Sequence, residues 1–239
     1  MSAQFVHLRL HSEYSLVDGL VRLKPLAAKA AELRMPAIAL TDFNNFFGLV
    51  KFYKAVQGAG VKPILGSDVL IADESGEGSP SQLVLLISNN TGYKNLTTLI
   101  SRGYQEGQRQ GIPTIRLSWL EELNEGLIAL SGGRLGEIGI SLISGRRADA
   151  ETSLQRFMAI FPDRFYLELQ RTGRPDEEDY LHAAVDLADV FSCPLVATND
   201  VRFIAAEEYE AHEARVCIYE GRTLDDPRRE RRYSESQYI

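Results

Sequence analysis

The chain has 239 residues, 44% of them hydrophobic, with 26 Lys and Arg against 33 Asp and Glu and a formal net charge of −7. This is the composition of a soluble globular protein, with material for one large core or two small ones. It excludes a membrane-spanning helix, since no apolar run approaches the roughly 18 residues a bilayer requires, and Met1 is followed by no signal-peptide h-region. The acidic total argues against broad nonspecific binding to nucleic acid, so contact with DNA is expected to be local or to lie on other parts of the protein.

In chain order, FVHLRL reads as a strand and LKPLAAKAAELR as a helix of good formers at helical spacing. PAIAL is the next strand, LVKFYKAVQGAG a helix, KPILGSDVLI a strand and DESGEGSPS a turn-rich connection. LVLLIS leads into a helix over TGYKNLTTLISRGYQEG, and GLIALSG is followed by a helix over residues 149–161. RFYLELQ, DEEDYLHAAVDLADVF, PLVATND and AAEEYEAHEARVCIYEG continue the alternation. Strand and helix taking turns predicts a parallel sheet. The tail LDDPRRERRYSESQYI is polar and charged without a core face, and is expected to leave the domain.

Each strand ends in polar residues: His11, Thr41 and Asp42, Asp68, Ser131, Glu168, Asn199 and Asp200. Such residues converge on one mouth when a parallel sheet closes into a barrel. An open doubly wound sheet is the alternative, but no glycine-rich phosphate loop follows the first strand. A (β/α) barrel is therefore the predicted architecture. Cys193 and Cys217 lie in apolar surroundings and read as buried free thiols, which fits a reducing cytoplasm.

Four carboxylates, Asp18, Asp42, Asp68 and Asp200, stand with His7 and His11 as oxygen and nitrogen donors suited to zinc, manganese or magnesium. The competing account of Asp42 and Asp200 is a helix N-cap or an Asx turn after a strand. His182 and His212 fall within helical patterns, as packing or surface residues. No nucleophile elbow surrounds Ser131, and there is no C-x-x-C pair and no Walker loop. Arg9 is the anomaly: it alternates with His7 and His11 on one face, yet a guanidinium offers a metal no lone pair.

The blocks FVHLRLHSEYSLVDGL, ALTDFNNFFGLVKFYKA, GVKPILGSD, NNTGYKNLTTLIS, ELNEGLIALSGG, ELQRTGRPDEEDYLHAAV and VATNDVRFI, in that order, closely resemble the amino-terminal PHP (polymerase and histidinol phosphatase) domain of bacterial replicative DNA polymerase III alpha subunits. The resemblance implies a distorted, seven-stranded (β/α) barrel over residues 1–225, with residues 226–239 starting the connection to a polymerase core that lies beyond this chain.

Active members of that family hold a metal cluster at the barrel mouth and hydrolyse phosphoesters. Against their motifs His7, His11, Asp18, Asp42 and Asp200 match, and Asp68 keeps an acidic type. Arg9, Phe43, Gln82, Gly133 and Arg202 stand where metal ligands are expected. The resemblance thus implies a degenerate site with no tightly bound metal, residual zinc, manganese or magnesium being held only by His7, His11, Asp42, Asp68 and Asp200. Arg9 then reads as a metal surrogate, hydrogen-bonding at least one of Asp42, Asp68 and Asp200 and supplying the charge that converging carboxylates need.

In function, the resemblance implies a structural domain of a cytoplasmic bacterial replicase. It would brace the polymerase, dock the epsilon proofreading exonuclease, meet DNA through the full-length magnesium-dependent protein and touch no membrane. The rival is a working metallophosphoesterase, either a 3′–5′ exonuclease or a pyrophosphatase. A histidinol-phosphatase-like enzyme is disfavoured by the blocks around TGYKNL and RTGRPDEE.

Overall fold

The computed structural model describes residues 5–72 and 78–239, in two compact units. The first comprises the chain up to Leu65, Arg171–Arg174 and Thr198–Ile239; the second comprises Gly66–Gln170 and Pro175–Ala197. The class is mixed α/β.

The first unit begins with an extended segment, then α1 (Leu23–Glu32), β1 (Ala37–Leu40), α2 (Leu49–Gly58) and the opening of β2 (Lys62–Ile71). In α1, Leu23, Leu26, Ala27 and Ala30 recur at helical spacing and are all buried. Pro25 lies in the first turn, where no intrahelical donor is lost. Phe52 and Val56 of α2, one turn apart, join Leu26, Ile38 and Leu40 in a core shared with Leu10 and Val201. β1 pairs in parallel with residues 62–65 of β2.

FVHLRL was expected as a regular strand and is not one. The Ala39 amide donates to His7 O, and the Thr41 amide to Leu10 O. Two residues of β1 therefore span three of the segment, so the pairing slips by one residue, a bulge that breaks strict alternation. On the other side the His11 amide donates to Val201 O, and that of Val201 to Arg9 O.

The tail does not leave this unit, contrary to expectation. The Arg202 amide donates to Gln237 O, Phe203 and Tyr238 form a parallel bridge, and Gln237 is fully buried.

The second unit contains the end of β2, β3 (Ser81–Ile87), α3 (Asn90–Glu106), β4 (Gln108–Arg109), β5 (Ile112–Pro113), α4 (Leu117–Leu123), β6 (Leu127–Leu130), α5 (Glu137–Ile143), α6 (Arg147–Ile160), β7 (Phe165–Leu169), α7 (Glu177–Phe191) and β8 (Leu195–Ala197). β4, β5, α4 and α5 are additions to the sequence-based elements; each is seven residues or shorter, too brief for periodicity to reveal.

β6, β7 and β8 pair in parallel, as expected, but β3 runs antiparallel to both β2 and β6. The nine residues 72–80 between β2 and β3 are fewer than the dozen or so a parallel crossover needs. Most of the turn-rich DESGEGSPS lies outside the described residues. At the point where β2 changes partner, a Cβ on Gly66 would lie 2.4 Å from the Leu85 carbonyl oxygen, so glycine admits β3 there. The stacked rings of Phe157 and Phe165, with centroids 5.4 Å apart, anchor α6 on β7.

The first unit's remaining helix, α8 (Tyr209–Glu220), buries His212, Val216 and Cys217. No helix among the described residues is long and apolar enough to cross a membrane. Cys193 and Cys217 are both buried and free.

Candidate functional site

The polar residues of the first unit form a buried ion-pair network centred on Asp200. The residue has a left-handed backbone (φ 48°), a conformation that aspartate tolerates better than most side chains. Its Oδ1 is 3.2 Å from Arg9 Nε and accepts from Arg202 Nη2 at 2.7 Å. Its Oδ2 accepts from Arg174 Nη1 at 2.9 Å and from Gln237 Nε2 at 3.1 Å. Three guanidinium groups thus share one carboxylate, and all four side chains are buried.

Arg202 extends the network. Its Nη1 donates to Asp18 Oδ2 at 2.5 Å and lies against His11 Nδ1. His11 Nδ1 is also 3.0 Å from Asp18 Oδ1. The phenol of Tyr233 donates to Asp18 Oδ2 at 3.0 Å, and His212 Nε2 donates to the Asp18 carbonyl at 2.8 Å.

Asp42 accepts from the Ser12 amide at 2.7 Å and from the hydroxyls of Ser12 and Ser15 at 2.9 Å each. It is no helix cap, since α2 is preceded by Gly48. The ring of Phe43 lies tilted against that of His11, with centroids 6.4 Å apart.

Burial would raise the carboxyl of Asp200, but Arg202, Arg9 and Arg174 outweigh it and hold the group well below the usual range. Asp18 behaves likewise, with Arg202 and His11 overcoming its burial. Burial raises the carboxyl of Asp42 despite the bonds from Ser12 and Ser15 and the nearby His11. Burial lowers both His7 and His212 to about 4, so both rings are neutral at pH 7. Burial, then Asp18, raises the Tyr233 phenol.

The remaining sequence candidates lie in the second unit. Asp68 is buried within β2 opposite Val84 and not at a strand end, because β2 continues to Ile71. Gln82 pairs with Leu70. Gly133 has φ +60°, and a Cβ there would lie 3.1 Å from Gln170 Oε1. Gln170 Nε2 donates to Glu168 Oε1 at 3.0 Å, and the Glu168 amide donates to Ser131 Oγ at 2.9 Å.

A metal cluster does not fit these donors. Both Asp200 oxygens are engaged by guanidinium groups, and a further cation among Arg9, Arg174 and Arg202 would be repelled. Among the described residues, no three His, Cys, Asp or Glu side chains group so as to hold an ion.

Arg174, Tyr233 and Gln237 belong to the site without having been anticipated from the sequence. Arg174 stands in RTGRPD, whose arginines were available as a signal, but no spacing ties that loop to Asp200, 26 residues away. The tail residues were masked by their polar setting. His212, read from the sequence as a packing or surface residue, is fully buried.

A family model for the PHP domain matches residues 7–172. Among curated proteins, the chain is 57% identical over 239 residues to "DNA polymerase III subunit alpha" of Pseudomonas fluorescens and 59% identical over 239 residues to that of Pseudomonas aeruginosa, in each case with 100% of this chain and 20% of the relative covered. It is 55% identical over 236 residues to the Escherichia coli K12 protein of the same name, covering 99% of this chain and 20% of that one. The chain thus spans about a fifth of the length of the curated relatives it matches.

Two solved structures share the fold. A putative metal-dependent phosphoesterase from Bifidobacterium adolescentis aligns with TM-score 0.54 and 10% identity, over 83% of this chain and 87% of that one. An amidohydrolase from Chromobacterium violaceum, with bound sulfate and no metal, aligns with TM-score 0.55 and 15% identity, over 88% and 96%. These neighbours carry the barrel-type α/β fold anticipated from sequence, and with the match over residues 7–172 they place the protein: the chain belongs to the PHP domain family.

Proposed function

We propose that this chain is the PHP region of a replicative DNA polymerase III alpha subunit in which guanidinium groups have taken the place of metal, leaving the domain a structural role. The observation that carries this reading is the Asp200 carboxylate, shared by Arg9, Arg174 and Arg202. Where a metal centre neutralises converging carboxylates with exchangeable ions, fixed guanidinium groups do so permanently and hold bidentate geometry. Such a network pins the segments carrying residues 9, 18, 174, 200 and 202, but offers no water-activating ion.

The polymerase assignment rests on the identity to relatives of that name. In it, this region braces the rest of the alpha chain and docks the epsilon exonuclease, and DNA and magnesium are engaged by the full-length protein in the bacterial cytoplasm. Pull-down of epsilon, together with primer extension and thermal unfolding of full-length Asp200→Asn, tests it. The variant should lose melting temperature and extension together, with activity recovering at low temperature. Activity lost at parental stability would mean that Asp200 does chemistry.

A second reading, residual metal-dependent phosphoesterase activity, is favoured by His7, whose buried Nδ1 has no hydrogen-bond partner among the described residues and whose ring is neutral. Hydrolysis assays with added manganese or zinc distinguish the two: phosphoester or pyrophosphate cleavage lost in His7→Ala would establish the second.

A further inference from the structure

A groove of about 720 Å³ in the first unit, away from the Asp200 network, is lined by Arg22, Lys24, Lys51 and Lys54 with Glu13 as its one acid. The chain as a whole is acidic, yet residues 1–65 hold eight of its 26 Lys and Arg and only four of its 33 Asp and Glu. This local excess of cations is concentrated on the faces of α1 and α2, where all four groove cations are exposed.

The groove also receives the start of α1, which has no side-chain cap among the described residues and no acid in its first turn. The partial positive charge of that helix end is therefore left for an anion from outside. On the groove wall, Lys51 Nζ donates to Tyr14 Oη at 2.6 Å and lies 5.2 Å from the ring centroid, which fixes one ammonium in place.

The second feature is apolar. Phe47, in the turn entering α2, is 61% exposed, and Val50 on the helix's first turn is 62% exposed. Val50, Lys51 and Lys54 share one face of α2 at helical spacing. An acidic peptide would engage the cations but make no use of the exposed aromatic ring at Phe47, one turn before Lys51 in the chain. A single strand of nucleic acid uses both, placing phosphates on the cations and a base face on Phe47, whereas a duplex keeps its base faces stacked away. We infer that the groove between α1 and α2 binds the backbone of single-stranded nucleic acid, with Arg22, Lys24, Lys51 and Lys54 on phosphates and Phe47 as a stacking platform.

The test is fluorescence anisotropy of a short labelled oligothymidylate titrated with the 239-residue chain across a salt series. Four phosphate contacts predict a slope of about −3 in log affinity against log salt. Lys51→Gln with Lys54→Gln should weaken binding at least about tenfold at low salt and bring the slope to about −1.4. Phe47→Ala should weaken it about fivefold or more with the slope unchanged. Arg34→Gln with Lys62→Gln makes the same change of charge outside the groove and should bind as the parent does. The substituted side chains are exposed, and circular dichroism verifies folding; if the paired variant does not fold, Arg22→Gln with Lys24→Gln must show the same loss. Parental affinity in the groove variants, equal loss in the control pair, no binding by the parent at low salt, or preference for a polyglutamate of equal charge would each overturn the inference, the last pointing to an acidic protein partner.

Discussion

Arg9 Nε stands 3.2 Å from Asp200 Oδ1, with both side chains all but fully buried. A permanent cation thus meets a carboxylate that it helps to hold below its usual range. The charge balance is local: Arg9, Arg174 and Arg202 face Asp18 and Asp200, and burial makes each partner depend on the others.

Arg9→Ala removes one of the three guanidinium groups on Asp200 and should destabilise the chain by about 3–5 kcal/mol, the cost of breaking a buried ion pair. Urea unfolding checks this. A midpoint and slope equal to the parent's would show that Arg9 carries no structural charge.

Asp200→Asn keeps the side-chain shape but leaves three buried guanidinium groups facing a neutral amide, so its cost should exceed that of Asp42→Asn. Asp42 accepts from Ser12 and Ser15, and burial already favours its neutral form. The two variants, melted side by side, should fall in that order. A double-mutant cycle of Asp200→Asn with Arg174→Met should show coupling of about 0.5–3 kcal/mol.

Tyr233→Phe deletes the hydroxyl that donates to Asp18 and should cost about 1–3 kcal/mol if the tail is part of the unit. Gln237→Ala, which removes two hydrogen bonds to Asp200, should cost a similar amount. Parental stability in both variants would return the tail to the status of a solvated extension.

Stability should fall as pH drops from about 6.5 to about 4. The folded state holds His7 and His212 at about 4, so within this window the unfolded chain binds more protons. Each histidine contributes a slope of up to about 1.4 kcal/mol per pH unit, present in full above its unfolded value and lost towards its folded one. Below about pH 4 a further loss should follow, as Asp18 and Asp200, held below the usual range, protonate in the unfolded chain first. Urea midpoints at pH 7, 5.5 and 4.5 measure this, and His212→Gln should flatten the first part of the decline.

What was legible in the sequence followed from periodicity and from strand-end chemistry. β2 occupies KPILGSDVLI from end to end, and α7 coincides with all but the first residue of DEEDYLHAAVDLADVF, because long patterned runs have one solution. The reversal of β3 was not legible, since its direction follows from the short connection before it. Nor was the bulge at residues 7–10, which arises from pairing with β1. At the site, Arg9, Asp18, Asp200 and Arg202 were visible as motif positions, and the position of Arg9 beside carboxylates could be reasoned from charge alone. Arg174, Tyr233 and Gln237 reach Asp200 and Asp18 only through the tertiary fold, from 26, 215 and 37 residues away.

On the proposed reading, ion pairs and not metal ions hold these segments together. Thermal unfolding of purified chain after EDTA treatment, and again with excess manganese or zinc, measured alongside elemental analysis, tests it most directly. A folded-state site occupied at one hundred times its dissociation constant would add about 2.7 kcal/mol. The account predicts less than one bound ion per chain and the same melting temperature in all three samples. Retention of about three ions, with a melting temperature that falls on chelation and returns on adding metal, would contradict it.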